Sequence, residues 1–321
     1  MRRVAVTGLV LGLLAATTAA FAVTEALKLE RSPITRVRAS GVVAPTCGCS
    51  HAVARLAFRL RRADTLDLVM VDDEDDSVRT LAVGSRRTPG RVVLRWDGRD
   101  DDGAVVPDGS YRLRVHLAHD RRTILVPNAV RVDTEPPAVE LIGLKPRRIS
   151  PDGDGRADAT TITFRVSERA QPLVLFDGAV VHVGKPVRAG TREVVWHGRR
   201  GHRPLGAGAH SLALAARDTA GNVSSPTESV TLRIRYIRLR ESTVRARRGF
   251  LRVHVLTDAR AYEWELFRRG KPGRPLVAAG PRRPGPALLR LPANVRPGRY
   301  VLRVTANGHS DDAVVIVGSR R

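Results

Sequence analysis

From Pro33 onward the apolar residues never recur at the spacing of an amphipathic helix. They come in short runs that alternate with polar residues or are rich in β-branched types, and clusters of Gly, Pro, Asp and Asn separate the runs. A period of two sends successive side chains to opposite faces, so each run reads as a half-buried strand and the chain as all-β. In the first third, strands are predicted near Leu56–Leu60, Leu66–Val71, Val78–Val83, Arg91–Trp96, Tyr111–Leu117 and Ala129–Val132. Six or seven short strands in about 100 residues is the density of a sandwich. Thr134-Glu135-Pro136-Pro137 then interrupts the pattern, because two prolines remove backbone donors and hold the chain extended. Together with the uncharged N-terminal stretch, this gives four segments: 1–33, then sandwiches over 34–136, 137–235 and 236–321. The last is predicted from runs at Leu251–Leu256, Tyr262–Phe267, Pro275–Ala278, Ala287–Leu291, Arg299–Thr305 and Ala313–Val317, with Arg268 to Gly285 as one long hairpin connection.

The first two sandwiches share an internal repeat. Val93-Leu-Arg-Trp96-Asp-Gly98 followed by Gly109-Ser-Tyr111 recurs as Val194-Val-Trp196-His-Gly198 followed by Gly208-Ala-His210, and Gly298-Arg-Tyr300 is a weaker third copy. Each copy places an aromatic at the start of a strand, where it can fill a small core. The run Trp96-Asp-Gly-Arg-Asp-Asp-Asp-Gly103, with Val106-Pro-Asp-Gly-Ser-Tyr111 after it, resembles the C-terminal immunoglobulin-like domain of the flagellar hook-capping protein (FlgD-type), a module also found on bacterial surface and secreted proteins. Ser150-Pro-Asp-Gly-Asp-Gly155 with Ala159-Thr-Thr-Ile-Thr-Phe164 is similar to that module's opening strand, and Arg217-Asp-Thr-Ala-Gly-Asn222 to its closing strand. The resemblance spans about residues 51–225 and implies tandem immunoglobulin-like β-sandwiches. The hook-capping role does not follow from it, because nothing here corresponds to that protein's export and hook-binding region.

Arg2-Arg3 precede an uncharged stretch from Val4 to Thr24. Twenty-one such residues are long enough to cross a hydrocarbon core of roughly 30 Å, with the arginines held in the cytoplasm. Ala20-Phe21-Ala22 equally satisfies the small-x-small requirement of signal peptidase, so a single-pass anchor and a signal cleaved near Ala22 both stand. Either way the sandwiches are expected outside the cytoplasm.

There are 55 Lys+Arg against 32 Asp+Glu, a net charge of +23, and only four of the bases are Lys. Arginine doublets at 61–62, 86–87, 147–148, 199–200, 247–248, 268–269 and 282–283 run through all three sandwiches. Such spread suits a diffuse anionic partner: wall polymer, lipid headgroups or extracellular DNA. Sequence-specific nucleic-acid binding would need a reading helix or ribbon, which the pattern lacks.

Asp152, Asp154 and Asp158 place hard oxygen ligands at alternate positions of a glycine-rich turn, as a Ca2+ loop does. The twelfth position counted from Asp152 is Thr163 and not the bidentate Glu of an EF-hand, and Asx turns explain the same residues. Asp72 to Asp76 and Asp100 to Asp102 read as solvated turns. Cys47-Gly-Cys49 is the only thiol feature and is expected to oxidise outside the cytoplasm, as a local staple, a partner-binding pair or a redox site. His197, His202 and His210 flank one turn without a second ligand type at fixed spacing. No nucleophile elbow, zincin pair or phosphate loop is present, so neither an enzyme nor a cofactor is expected. The reading is a non-catalytic envelope protein: a spacer or adhesion module with an N-terminal membrane segment, held to anionic wall polymer or to other envelope proteins. A calcium- or carbohydrate-dependent adhesin and an accessory module of a secreted hydrolase system are the alternatives.

Overall fold

The computed structural model describes residues 12–21, 32–201, 203–268 and 275–318. The chain forms two compact units, Met1–Thr134 and Glu135–Arg321. The first holds one large hydrophobic core and the second holds two.

The first core lies among β1 (Ile34–Ala39), β2 (Val42–Val43), β3 (Ala54–Leu60), β4 (Asp64–Val71), β5 (Ser77–Arg87), β6 (Gly90–Trp96), β7 (Gly109–Leu117), β8 (Arg122–Leu125) and β9 (Val130–Val132). One sheet runs β1-β3-β6; the other runs β2-β9-β7-β4-β5, with β8 added on β7. Alternation decides what each sheet buries. In β3, Ala54, Leu56, Phe58 and Leu60 point into the core and Arg55 and Arg59 point out; in β6, Val92, Leu94 and Trp96 point in and Arg91 and Arg95 point out.

The second unit repeats this plan twice. Its first core is enclosed by β10 (Val139–Lys145), β11 (Arg148–Ile149), β12 (Thr160–Val166), β13 (Ala170–Phe176), β14 (Ala179–Val183), β15 (Gly190–Trp196), β16 (Arg199–Arg200), β17 (Arg203–Pro204), β18 (Gly208–Asp218) and β19 (Val230–Ile234). The sheets are β10-β12-β15 and β11-β19-β18-β13-β14, with β16-β17 a small ribbon. Its second core is enclosed by β20 (Ile237–Leu239), β21 (Thr243–Arg245), β22 (Phe250–Thr257), β23 (Tyr262–Arg268), β24 (Val277–Arg282), β25 (Gly285–Arg290), β26 (Gly298–Ala306) and β27 (His309–Val317), in sheets β20-β22-β25 and β21-β27-β26-β23-β24. All three sandwiches have one parallel pairing at the same place, β2 on β9, β11 on β19 and β21 on β27. The fold is all-β, a series of immunoglobulin-like sandwiches.

The repeated motif has a packing cause. Trp96 and Trp196 are 1% and 2% exposed, and each indole N–H donates to the carbonyl three residues on, Arg99 at 2.8 Å and Arg199 at 3.2 Å. The glycine two positions after each tryptophan turns the chain with φ +72 at Gly98 and +58 at Gly198. A Cβ at Gly98 would lie 2.4 Å from Pro45 Cγ, and one at Gly198 2.7 Å from Ile149 Cδ1, so a side chain is refused on both grounds. Tyr111 and Tyr300 each donate from the hydroxyl to the carbonyl four residues back, at 2.8 and 2.6 Å, and His210 takes that position in the second sandwich with Nε2 3.0 Å from the Gly206 carbonyl. In the third sandwich the buried tryptophan is Trp264 on β23, not a residue at the end of β25, which is why its repeat is weak in sequence.

Three first-sandwich strands, β1, β2 and β8, are not expected from the sequence. Those at Val42–Val43 and Arg122–Leu125 are too short to show a period. The β1 strand carries a bulge between Thr35 and Arg38, with Arg36 at φ 52. The extra residue turns Val37 toward the core and both Arg36 and Arg38 outward, which erases the period of two. The expected long connection after Arg268 is shorter than read, because β24 occupies part of it; residues 269–274 lie outside the described residues. Of the uncharged N-terminal stretch, residues 12–21 form an exposed helix and the rest lies outside the described residues. Ten helical residues rise about 15 Å, half a hydrocarbon core, and among the described residues no helix is long and apolar enough to cross a membrane.

Candidate functional site

The structure brings Asp152, Asp154 and Asp158 together, with one ligand atom from each within 4.8 Å of the others. Their oxygens are already engaged in the turn. Asp158 accepts the Gly153 amide at 2.8 Å on one oxygen and the Gly155 amide at 2.7 Å on the other. Asp154 accepts the Arg156 amide at 2.8 Å, and Asp152 the Asp154 amide at 3.3 Å. The Asn307 amide donates to the remaining oxygens of Asp152 and Asp154, at 3.0 and 3.1 Å. A Ca2+ ion takes six to eight oxygens, so three carboxylates shared with these donors offer a partial set. Nearby, burial pushes the Asp258 carboxyl above its ordinary range; the Ser150 hydroxyl works against that rise, and the charges of Asp152 and Asp154 add to it.

The other acidic runs are turns. Asp72 accepts the amides of Glu74 and Asp76 at 3.1 and 2.8 Å, and Asp100 those of Asp102 and Ala104 at 3.1 and 2.8 Å. Asp64, which sequence alone did not single out, is with Asp133 one of two buried carboxylates among the described residues of the first sandwich. Burial alone would raise its pKa, but the amides of His119, Asp120 and Thr65 together hold it below the ordinary carboxylate range.

Cys47 and Cys49 are joined in a disulfide in the loop between β2 and β3. The Cys49 amide donates to Cys47 Sγ at 3.1 Å, and His51 Nδ1 lies 3.9 Å from Cys49 Sγ. The loop is tied down by Ala44, whose amide donates to the His51 carbonyl at 2.9 Å and whose carbonyl accepts the Cys47 amide at 3.2 Å. Of the three histidines, His210 is committed to Gly206 and, through Nδ1 at 2.8 Å, to Asp177; His197 is exposed; His202 lies outside the described residues. The His210 bond and the Ser211 amide keep the Asp177 carboxyl below its ordinary range.

The charge is not evenly spread. On the outer face of β1-β3-β6, Arg55 stands opposite Arg95 and Arg59 opposite Arg91, while Arg38 stands opposite Ala57. With Arg36, six arginines share one sheet face, and no described hydrogen bond or ion pair engages any of their guanidiniums. The corresponding face of β10-β12-β15 carries Arg165 paired with Glu140 at 3.2 Å, Glu193 bonded to Thr163 at 3.3 Å, and Lys145 opposite Thr161. The face of β20-β22-β25 mixes Arg238, Arg252 and Arg290 with Leu256 and Leu288. The doublets that stand out in the sequence are not what makes the first face; it is built from single arginines at alternate strand positions, a signal available in Arg55-Leu-Ala-Phe-Arg59 and Arg91-Val-Val-Leu-Arg95.

The family model of the FlgD Ig-like domain matches residues 50–120, the stretch from the disulfide loop through β7. A comparison with curated protein sequences returns no match. Among solved structures, the titin I-band fragment I67-I69 is 11% identical, covering 91% of this chain and 100% of that one, with a TM-score of 0.31. The ectodomain of mouse nectin-like molecule 4 (Ig1-Ig3) is 14% identical, covering 87% and 98%, with a TM-score of 0.27. An Escherichia coli alpha-2-macroglobulin is 12% identical over 88% of this chain and 24% of that one, at 0.27. At such scores these likenesses bear on neither ligand nor partner.

Proposed function

We propose that this chain is a non-catalytic spacer and interaction module of the cell envelope, displayed outside the cytoplasm and held against an anionic polymer by its arginines. The observation that carries the reading is the concentration of unpaired guanidiniums on one sheet face of a protein whose net charge is +23. Tandem immunoglobulin-like sandwiches are consistent with a structural or interaction role, and the arrangement of acids and histidines gives turns and corners where an enzyme would need a nucleophile beside its base. The uncharged segment from Val4 to Thr24 supplies export, by a retained anchor or by cleavage near Ala22.

Fractionation of a C-terminally tagged chain into membrane, wall and medium, with and without a high-salt wash, tests this. Release from the wall by salt supports electrostatic retention. Recovery in the cytoplasm, or free in the medium at every salt concentration, overturns it. The 4.8 Å approach of Asp152, Asp154 and Asp158 supports a second, calcium-dependent reading. Thermal melting with added Ca2+ and with chelator separates the two: an unchanged transition in the second unit leaves those acids as turn residues, and a raised one with Ca2+ makes them ligands.

A further inference from the structure

We propose that the outer face of the β1-β3-β6 sheet is the seat for a linear phosphodiester polymer without aromatic bases, of the kind a bacterial wall carries. The inference deepens the preceding section and rests on the reading of this chain as a polymer-held module.

The first support is the cross-strand geometry. Arg55 pairs in register with Arg95, and Arg59 with Arg91. Residues so placed have Cβ atoms about 5 Å apart, and like charges in that position oppose sheet formation. No carboxylate relieves them: among the described residues none of the four guanidiniums has an ion-pair or hydrogen-bond partner. An anion bound between the members of each pair would remove the repulsion.

The second support is the bulge in β1. Without the extra residue, strict alternation would carry Val37 out and Arg36 and Arg38 toward the core. With it, Val37 packs inward and both arginines join the outer face, one of them on a left-handed backbone. The cleft at the end of this face, of ≈ 1000 Å3, is lined by Arg36, Arg59, Arg61, Arg62 and Arg122, with Asp120 the one acid. The cationic surface therefore continues past the strand ends.

The third support is what the face lacks. Its other outward residues are Thr35, Ala57 and Val93, with no aromatic ring. Single-stranded nucleic acids are held by stacking on aromatics as well as by charge, and lipid surfaces by apolar anchors beside the basic residues. Neither is present. Two guanidiniums facing each other can each take one non-bridging oxygen of a single phosphodiester. Arg55 and Arg59 lie four residues apart, about 13 Å along the strand, so the two pairs make two phosphate stations along an extended chain.

Equilibrium binding of the full chain to labelled poly(glycerol phosphate) tests this, beside poly-glutamate, single-stranded DNA and anionic phospholipid vesicles. The four-fold variant R55Q/R59Q/R91Q/R95Q is compared with an equal charge loss elsewhere, R240Q/R245Q/R283Q/R299Q. The expected result is preference for poly(glycerol phosphate) and a drop of about ten-fold or more for the first variant at roughly 0.15 M salt, with a much smaller drop for the second. Equal drops, or no drop, overturn the seat while leaving the polymer-held module standing. Tighter binding to poly-glutamate, DNA or vesicles overturns the phosphodiester assignment, and absence of binding to every probe overturns the underlying reading. Footprinting of the unmodified chain with an arginine-specific dicarbonyl supplies a measurement that needs no variant: the polymer should protect Arg55, Arg59, Arg91 and Arg95, and their undiminished reactivity in the bound state would contradict the proposal.

Discussion

The β1-β3-β6 sheet and the β10-β12-β15 sheet have the same strand order, and each begins with a bulged edge strand. Their inner faces are alike too: Leu56, Phe58 and Trp96 in one, Ile162, Phe164 and Trp196 in the other, all buried. Their outer faces are opposite in kind. One presents six arginines and no acid; the other offsets Arg165 and Lys145 with Glu140 and Glu193. The core is what both sandwiches need in order to fold, and the outer face is free to differ, so the arginines of the first are not required by the fold.

If that division holds, core substitutions should act equally in the two sandwiches. Trp96→Ala and Trp196→Ala should each destabilise their own sandwich by about 3–5 kcal/mol, since each removes a fully buried indole and leaves a cavity. Hydrogen exchange resolved by strand reads the two separately. A large inequality would mean that the cores differ as well as the faces.

Acid sensitivity comes next in size. Asp64 and Asp177 both have carboxyl groups held below the ordinary range, so each adds stability that is complete above the ordinary carboxylate pKa and is lost as pH falls through its lowered folded value. Asp64→Asn should cost about 1–3 kcal/mol at neutral pH and flatten the acid limb of the first unit, because three amides lose a buried charged acceptor. Asp177→Asn should do less, since that side chain is 52% exposed. Denaturant titrations between pH 7 and pH 3 give the order of the two effects.

The corner bond is smaller still. Tyr111→Phe should cost about 0.5–1.5 kcal/mol by removing the bond to the Pro107 carbonyl, and His210→Phe more than that, since it removes the bond to Asp177 along with the one to Gly206, again read by exchange in the affected strands. The smallest effects act on the faces themselves. Arg55→Glu should stabilise the first sandwich by about 0.2–1 kcal/mol by setting a carboxylate opposite Arg95, and Glu140→Arg should destabilise the second by a similar amount by setting an arginine against Arg165. Thermal melts at low salt would show these opposite signs, and a destabilised Arg55→Glu would mean that the first face is not under like-charge repulsion.

Much of this was legible in the sequence where alternation was strict. β3, β6, β7, β22 and β26 lie where their apolar residues put them, and Trp96 with Gly98 and Trp196 with Gly198 announced the repeat because each pair performs one packing task. Legibility failed where a local irregularity broke the period, as at Arg36, and where a feature depends on partners far along the chain. Asp64 is bonded by amides more than fifty residues away, and Asn307 by Asp152 and Asp154 from another sandwich. The arginine face needed register as well as pattern: Arg55 and Arg95 are each visible as outward residues, but only strand pairing sets them opposite one another.

The salt dependence of binding tests the central claim most directly. For the intact chain and for R55Q/R59Q/R91Q/R95Q, the logarithm of the poly(glycerol phosphate) binding constant would be measured against the logarithm of salt concentration. Each phosphate contact to a nucleic acid contributes roughly 0.7–0.9 to such a slope. Loss of the four arginines should therefore make the slope shallower by about 1.4 to 3.6, the span between two shared phosphates and four separate ones. Parallel lines for the two proteins would contradict the account, because the polymer would then be held by arginines outside this face.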